Sequence, residues 1–473
     1  MYLLEVSSVI YFLQTLIIAE AALCCHRLPK SKSSVSRDLV EKSASGFDTP
    51  NTKAASASSS SAWTLLGVSG AAYAWGLSAV WLIPGVLFGY YVSWTWVAPR
   101  LMELSQQTGA VSLPDVLFHN YDDKERQLLM RLTVIIITST LIMYVAAQFQ
   151  AAGTTFSSVL GISQNLSVII GALVILIYTF IGGFWAVSVT DAIQAVLMMF
   201  VALILPWMLL LIGIGGFSDL SSAINATWDT GEKSFTGLHT GLMGAGFALG
   251  TIGIGFGYPG QPFVVNRFMA IKDKQAIKRG KMIALIWASI IFTGMIILGL
   301  SAKVMYTTVG NPESVLFFVS DRLFGPIFSG IITAAVLSAI MSTADSQLLT
   351  VATSVSHDWN SGKHSSIKTA RIAIIMVVVM AVLFSLFAPD TIFNRVVFAW
   401  TALGASLVPM VLSKVFYWDV PARAALISIM SGFLLTIFFH FLPDTPGDIV
   451  ERIVPMSTGL VVLYLSKRKS ISV

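Results

Sequence analysis

The sequence predicts an all-α polytopic membrane protein with about 13 transmembrane helices. Three observations carry that prediction: a composition poor in charge, a succession of apolar runs of bilayer length, and basic residues concentrated in alternate loops. Of 473 residues, 55% are hydrophobic and only 11% are charged, against about 25% charged in an ordinary soluble domain. At about 20 apolar residues per crossing, a chain of this length is filled by membrane helices and short connections. That leaves no room for a sizeable soluble domain, and it excludes a soluble enzyme, a nucleic-acid binder and a disordered scaffold. The net charge of +5 is then a matter of topology and not of affinity for nucleic acid. The two cysteines, Cys24 and Cys25, are adjacent and offer no disulfide framework.

Taken in order, the apolar runs are a first, separate span at 7–25, a Ser/Ala/Gly-rich span 1 at 54–74, and span 2 at 77–98. Spans 3 to 5 follow at 128–159, 166–182 and 186–214, spans 6 to 8 at 237–265, 283–306 and 325–354, and spans 9 to 12 at 370–387, 391–415, 422–441 and 450–466. Basic residues cluster after the first span (Arg27, Lys30, Lys32, Arg37, Lys42), between spans 2 and 3 (Arg100, Lys124, Arg126), after span 6 (Arg267, Lys272, Lys274, Lys278, Arg279, Lys281) and at the Lys467-Arg468-Lys469 tail. An odd number of spans with the N-terminus outside puts all of these on the cytoplasmic side, and the C-terminus with them. The first span has no basic residue ahead of it, so it reads as a retained anchor rather than a cleaved signal. The expected setting is the plasma (inner) membrane.

Two spans should break. Span 1 contains A-A-S-A-S-S-S-S-A-W-T-L-L-G-V-S-G, and span 6 is dense in glycine and ends in G-F-G-Y-P-G-Q-P. Backbone freed from helical geometry is tolerated at membrane depth only where protein, water or ions satisfy it. Two such segments five spans apart are the pattern of an inverted-repeat transporter, with its site between the broken helices. The alternative is that small residues serve close helix packing. On the five-plus-five reading, the chain divides into residues 1–45 (an N-terminal helix and basic loop), 46–215 and 216–416 (two five-helix repeats), and 417–473 (two C-terminal helices and a basic tail).

Ionisable groups inside a bilayer are costly, so each is a functional candidate. Three carboxylates fall within spans: Glu20, Asp191 and Asp345. Ser342, Asp345 and Ser346 stand at i, i+3 and i+4 and share a helix face, with Thr343 about 100° round from Ser342. Several hard oxygens close together suit a small hard cation such as sodium; a helix–helix hydrogen-bond patch is the alternative. Glu20 lies outside the repeat and reads as snorkelling or paired. There is no Walker A loop, no His-Glu-x-x-His helix and no nucleophile elbow, so nothing points to an enzyme. With no ATP-binding segment, uphill movement of a solute would draw on an ion gradient.

Five blocks in the chain resemble the sodium:solute symporter family, most closely its sodium/proline branch. They are A-S-A-S-S-S-S-A-W-T-L-L-G (55–67), G-G-F-W-A-V-S-V-T-D-A-I-Q (182–194), G-F-G-Y-P-G-Q-P-F-V-V-N-R-F-M-A (255–270), S-A-I-M-S-T-A-D-S-Q-L-L (338–349) and F-A-W-T-A-L-G-A-S-L-V-P (398–409). The resemblance implies the five-plus-five inverted-repeat fold with one extra helix before it and two after. It implies a sodium ion held by the carbonyls of Ala57, Ser60 and Ala339 and the hydroxyls of Ser342 and Thr343. A second cation would meet Asp191, Asp345, Ser342 and Ser346. A small organic solute would lie against Trp63, Gly67, Tyr144, Tyr258 and Pro262, for each aromatic of which core packing is the alternative. The expected activity is sodium-coupled symport of proline or a similar small amino acid in a lipid bilayer, with no organic cofactor, nucleic acid or ATP-binding subunit; the alternatives are another solute (a carboxylate, sugar or vitamin) or a transporter-derived solute sensor. Two positions depart from the proline branch as this resemblance frames it: Ser59 stands where an aspartate is usual, and Ile254 where a tryptophan is usual.

Overall fold

The computed structural model describes residues 61–362, 366–388 and 390–468. The expected first span, Glu20, the stretch before span 1 and the residues Ala57, Ser59 and Ser60 lie outside the described residues. Every named element among the described residues is a helix. After a π-helical turn at Trp63–Gly67 come α1 (Val68–Trp75), α2 (Leu82–Val92), α3 (Ala98–Thr108), α4 (Leu113–Phe118), α5 (Asp123–Leu160) and α6 (Gln164–Met208). Then follow α7 (Phe217–Thr227), α8 (Thr230–Lys233), α9 (Gly241–Gly253), α10 (Pro262–Met269), α11 (Lys274–Met305) and α12 (Val315–Leu323). The last five are α13 (Pro326–Ser356), α14 (Ile367–Phe387), α15 (Ile392–Val415), α16 (Ala422–His440) and α17 (Ile449–Ser466).

Ten helical stretches among the described residues are long and apolar enough to cross a membrane, and the first part of α6, Gln164–Ile177, is a shorter apolar stretch. One of the ten, Trp63–Thr108, is 46 residues long. At about 1.5 Å per residue that is roughly twice a hydrocarbon core. It divides at Gly76, whose φ of +66° lies in a region that favours glycine, and that position separates the expected spans 1 and 2. Spans 4 and 5 differ from expectation. Helix runs without interruption through residues 183–185, where a connection was expected, and joins them as the 45-residue α6. The Gly182-Gly183 pair lowers helix propensity but does not remove a backbone donor as proline does, so it does not force a loop.

Span 6 is broken as its glycines and prolines suggest. Regular helix stops at Gly253, the chain tightens into a 3-10 segment over Ile254–Gly260, Gln261 adopts extended dihedrals (φ −88°, ψ 104°), and α10 starts at Pro262. The break lies backbone to backbone against its neighbours. A Cβ on Gly255 would come 1.7 Å from the carbonyl oxygen of Gly85 on α2, and one on Gly257 would meet the Trp400 indole on α15 at 2.8 Å. No side chain fits in either gap.

Around this break, α13 packs along α6 and α5, α15 packs against α5 and the 3-10 segment, and α16 and α17 form a hairpin on the outer side of α15. On the same end of the bundle as the start of α15, Glu313 is buried and its two carboxylate oxygens accept the N–H groups of Ile392 and Phe393 at 3.0 and 2.8 Å. A carboxylate at a helix N-terminus satisfies two orphan donors and complements the helix dipole, and burial holds the Glu313 carboxyl above its ordinary range. Replacing Gly255 by alanine should therefore disrupt packing between α2 and the break. The expected outcome is a loss of about 1–3 kcal/mol, read as a fall in the thermal unfolding temperature of the detergent-purified protein. Gly246, whose Cβ would meet nothing within 4 Å, serves as the comparison and should tolerate alanine.

Candidate functional site

Two constellations converge on the broken span. The first is aromatic. Trp63 at the start of the described chain, Tyr144 on α5 and Tyr258 in the 3-10 segment line one cavity together with Tyr90, Ile254, Phe292 and Trp400. The Tyr258 ring lies 4.4 Å from that of Tyr90 and 5.8 Å from Trp400, and Trp63 lies 5.7 Å from Phe292 and 5.6 Å from Phe393. The cavity offers about 20 Å³ to water-sized spheres, about the room for one water. Admitting a solute of several heavy atoms therefore requires these walls to move apart. Gly67 and Pro262 do not line it: a Cβ on Gly67 would press within 2.9 Å of Trp63 Cδ1, and Pro262 opens α10.

The unwound backbone is held by side chains that sequence reasoning passed over. Trp400 donates its indole N–H to the carbonyl of Ile254 at 2.8 Å, and Gln261 donates through Nε2 to the carbonyls of Gly257 (3.0 Å) and Trp400 (2.9 Å). Near the start of the described chain, Tyr144 donates its hydroxyl to Ser61 Oγ at 3.3 Å, while Gln148 Oε1 accepts the Ala62 N–H at 3.3 Å. Trp400 lies in the F-A-W-T-A-L-G block and Gln261 between two prolines. A polar side chain in an otherwise apolar span was the available signal for Gln148 and Gln261.

The second constellation is charged. Asp191 on α6 and Asp345 on α13 are both fully buried, as are Ala339, Ser342 and Thr343. Between the two helices lies Arg267 from the last turn of α10, 4% exposed. Its Nη2 donates to Asp191 Oδ2 at 2.7 Å and to Ser346 Oγ at 2.6 Å. Ser346 Oγ in turn donates to the Ser342 carbonyl at 2.8 Å and lies 3.5 Å from Asp345 Oδ1, and Ser342 Oγ donates to the Ala339 carbonyl at 3.2 Å. The basic cluster after span 6 is thus one residue smaller than the charge count suggested: Arg267 belongs inside the protein. The reason is electrostatic, because a buried carboxylate is tolerated only when paired. With two carboxylates and one guanidinium, the cluster carries one negative charge in excess when both acids are ionised.

The family model of the sodium:solute symporter family matches residues 43–432. A sodium/proline symporter of Staphylococcus aureus (strain bovine RF122 / ET3-1) is 32% identical over 404 residues, which is 81% of this chain and 76% of that protein. A second Staphylococcus aureus sodium/proline symporter is 31% identical over 401 residues, with the same coverage. Among solved structures, a Na+-coupled sialic acid symporter in a substrate-bound outward-open state superposes with a TM-score of 0.75 over 99% of both chains at 15% identity, which shows a shared fold. With ten apolar membrane-length helices, a broken span lined by aromatics and a family match over most of its length, the chain is a multi-pass membrane transporter that belongs to the sodium:solute symporter family.

Proposed function

We propose that the protein is a sodium-coupled secondary active symporter for a small zwitterionic solute, proline or a similar small amino acid, working by alternating access. The observation that carries this reading is the cavity at the break of span 6, where Trp63, Tyr144 and Tyr258 from three separate elements face one another beside unwound backbone. Aromatic walls bind an apolar ring or side chain, and carbonyls and amides outside regular helix bind ammonium and carboxylate. The name carried by the Staphylococcus aureus relatives supports proline. Ile254 supports a second reading, transport of a different small solute: it lines the cavity at a position where the proline branch is expected to carry a larger tryptophan.

Sodium would be held by the Ala339 carbonyl and the Ser342 and Thr343 hydroxyls on α13, completed by the carbonyls of Ala57 and Ser60. A second cation would sit by Asp191, Asp345 and Ser346, where the excess negative charge of the cluster supplies the attraction and Arg267 acts as a built-in counter-cation. Sodium and solute would then each raise the other's affinity, by reciprocity of linked binding. We place the N-terminus outside and the C-terminus in the cytoplasm of the plasma membrane, from the distribution of basic residues.

Uptake of radiolabelled proline into proteoliposomes, with an inward sodium gradient and with potassium in its place, tests the function. Accumulation with sodium alone is expected. No proline uptake, with sodium-dependent thermal stabilisation by another solute, replaces the substrate and keeps the mechanism, whereas neither signal favours a sensor. Ser342→Ala and Thr343→Ala should each raise the half-saturating sodium concentration by about tenfold, the loss of about 1.4 kcal/mol of ligation; an unchanged sodium dependence in both removes the site. For the charged cluster, Arg267→Gln should cost about 3–5 kcal/mol by leaving Asp191 buried without its guanidinium. Asp191→Asn combined with Arg267→Gln should cost less than the two single changes together. Additive losses in thermal unfolding would show the pair to be energetically independent.

A further inference from the structure

A second cavity, of about 670 Å³, lies away from the aromatic one and shares no lining residue with it. It is enclosed by the end of α3, the connection from α4 to α5, the connection from α15 to α16 and the residue Arg468 that follows α17. Four cationic side chains line it: Arg100, Lys414, Arg423 and Arg468. Arg100 donates through Nε to the Lys414 carbonyl at 3.0 Å, and its guanidinium lies 4.0 Å from the centre of the Tyr417 ring. Tyr417 holds this position with φ at +57°, a conformation that costs a non-glycine residue free energy. Among the described residues, the Lys414 and Arg423 side chains carry no hydrogen bond or ion pair; Lys414 has the Tyr121 ring at 5.7 Å.

Three carboxylates share the lining: Asp122, Glu125 and Asp419. Asp122 is the N-cap of α5 and Glu125 is in its first turn, where the helix dipole stabilises them. Asp419 lies 4.0 Å from Arg468. Burial pushes the Tyr121 hydroxyl up to about 12, so it stays protonated and adds no charge. Arg100 also lies 3.9 Å from Glu103, so the cations left to meet an incoming group are Lys414 and Arg423, with the Arg100 guanidinium beside them. Four cations against three carboxylates leave one positive charge in the lining, which a singly charged phosphodiester balances and doubly charged inorganic phosphate exceeds.

The surroundings place this cavity at the edge of the bilayer. Phe416 and Trp418 stack at 5.8 Å, Trp418 meets Tyr464 at 5.7 Å, and Lys467 lies 3.8 Å over the Tyr464 ring. Phe416, Tyr464 and Leu465 are exposed beside it. Aromatic rings with basic neighbours mark the membrane–water interface, where basic pockets between transmembrane helices receive lipid head groups. We propose that this cavity is a phospholipid site, in which Arg100, Lys414 and Arg423 hold the phosphodiester and the acyl chains run down past Phe416 and Leu465.

The test is native mass spectrometry of the full-length, detergent-purified protein titrated with phosphatidylglycerol, with thermal unfolding followed in parallel. Wild type should retain lipid through detergent stripping, and Lys414→Gln/Arg423→Gln should bind it about tenfold more weakly. If that double variant does not fold, Arg423→Gln alone, at an exposed position, should weaken binding at least threefold. Lys278→Gln/Arg279→Gln, on the separate basic segment of α11, should leave lipid retention unchanged. Equal retention in the cavity variants overturns the proposal, and so does an equal loss in the α11 variants, which would indicate general surface attraction. Stabilisation by inorganic phosphate equal to that by phosphatidylglycerol overturns it in favour of a free anion.

Discussion

Every polar backbone group inside a bilayer has to find a partner within the protein, and the broken span 6 is where this constraint is most severe. A regular helix satisfies its own N–H and C=O groups in an unbroken ladder, which the 3-10 segment over Ile254–Gly260 and the extended Gln261 interrupt. Their carbonyls are met by two side chains, the Trp400 indole and the Gln261 amide. Glycines let α2 and α15 approach until backbone touches backbone. The cavity exists because this arrangement keeps the unwound strip open to one side while Tyr90, Tyr144 and Trp400 cover it with aromatic surface.

The charged cluster ties the same broken span to the helices around it. Arg267 stands two turns beyond the break, so any movement of α10 moves the guanidinium relative to Asp191 on α6 and Ser346 on α13. Buried ion pairs contribute little net stability, because desolvation offsets most of their attraction. Their effect is on geometry: a guanidinium shared by two helices has few acceptable positions. The connection therefore joins the helix after the break to Asp191 on α6 and the Ser346 hydroxyl on α13 through a single side chain.

At the opposite end of α15, Glu313 fixes the N-terminus of the helix whose second residue, Phe393, lies 5.6 Å from Trp63 and 4.9 Å from Trp75. One helix thus lines the aromatic cavity with Val396, Val397 and Trp400 and touches Trp63, another of its walls, through Phe393. Trp400 is held by a hydrogen bond to the break and Phe393 by ring contacts with α1. The walls of the cavity are set by elements far apart in sequence.

The sequence by itself determined the membrane class, most of the crossing helices among the described residues and the break of span 6, because these depend on local properties: apolar length, and the clustering of glycine and proline in G-F-G-Y-P-G-Q-P. It also singled out Asp191 and Asp345, since an ionisable group in an apolar run is conspicuous wherever its partners are. Tertiary structure alone decided what those groups meet. Arg267 read as one more residue of a cytoplasmic basic cluster until α10 placed it between α6 and α13, and Trp400, Gln261 and Gln148 became structural partners of unwound backbone only once α15 and α5 were beside it. The continuity of α6 through Gly182-Gly183 was not legible either, because two glycines weaken a helix without breaking it. Periodicity and composition report on one segment at a time, whereas a hydrogen bond or an ion pair depends on which segments become neighbours.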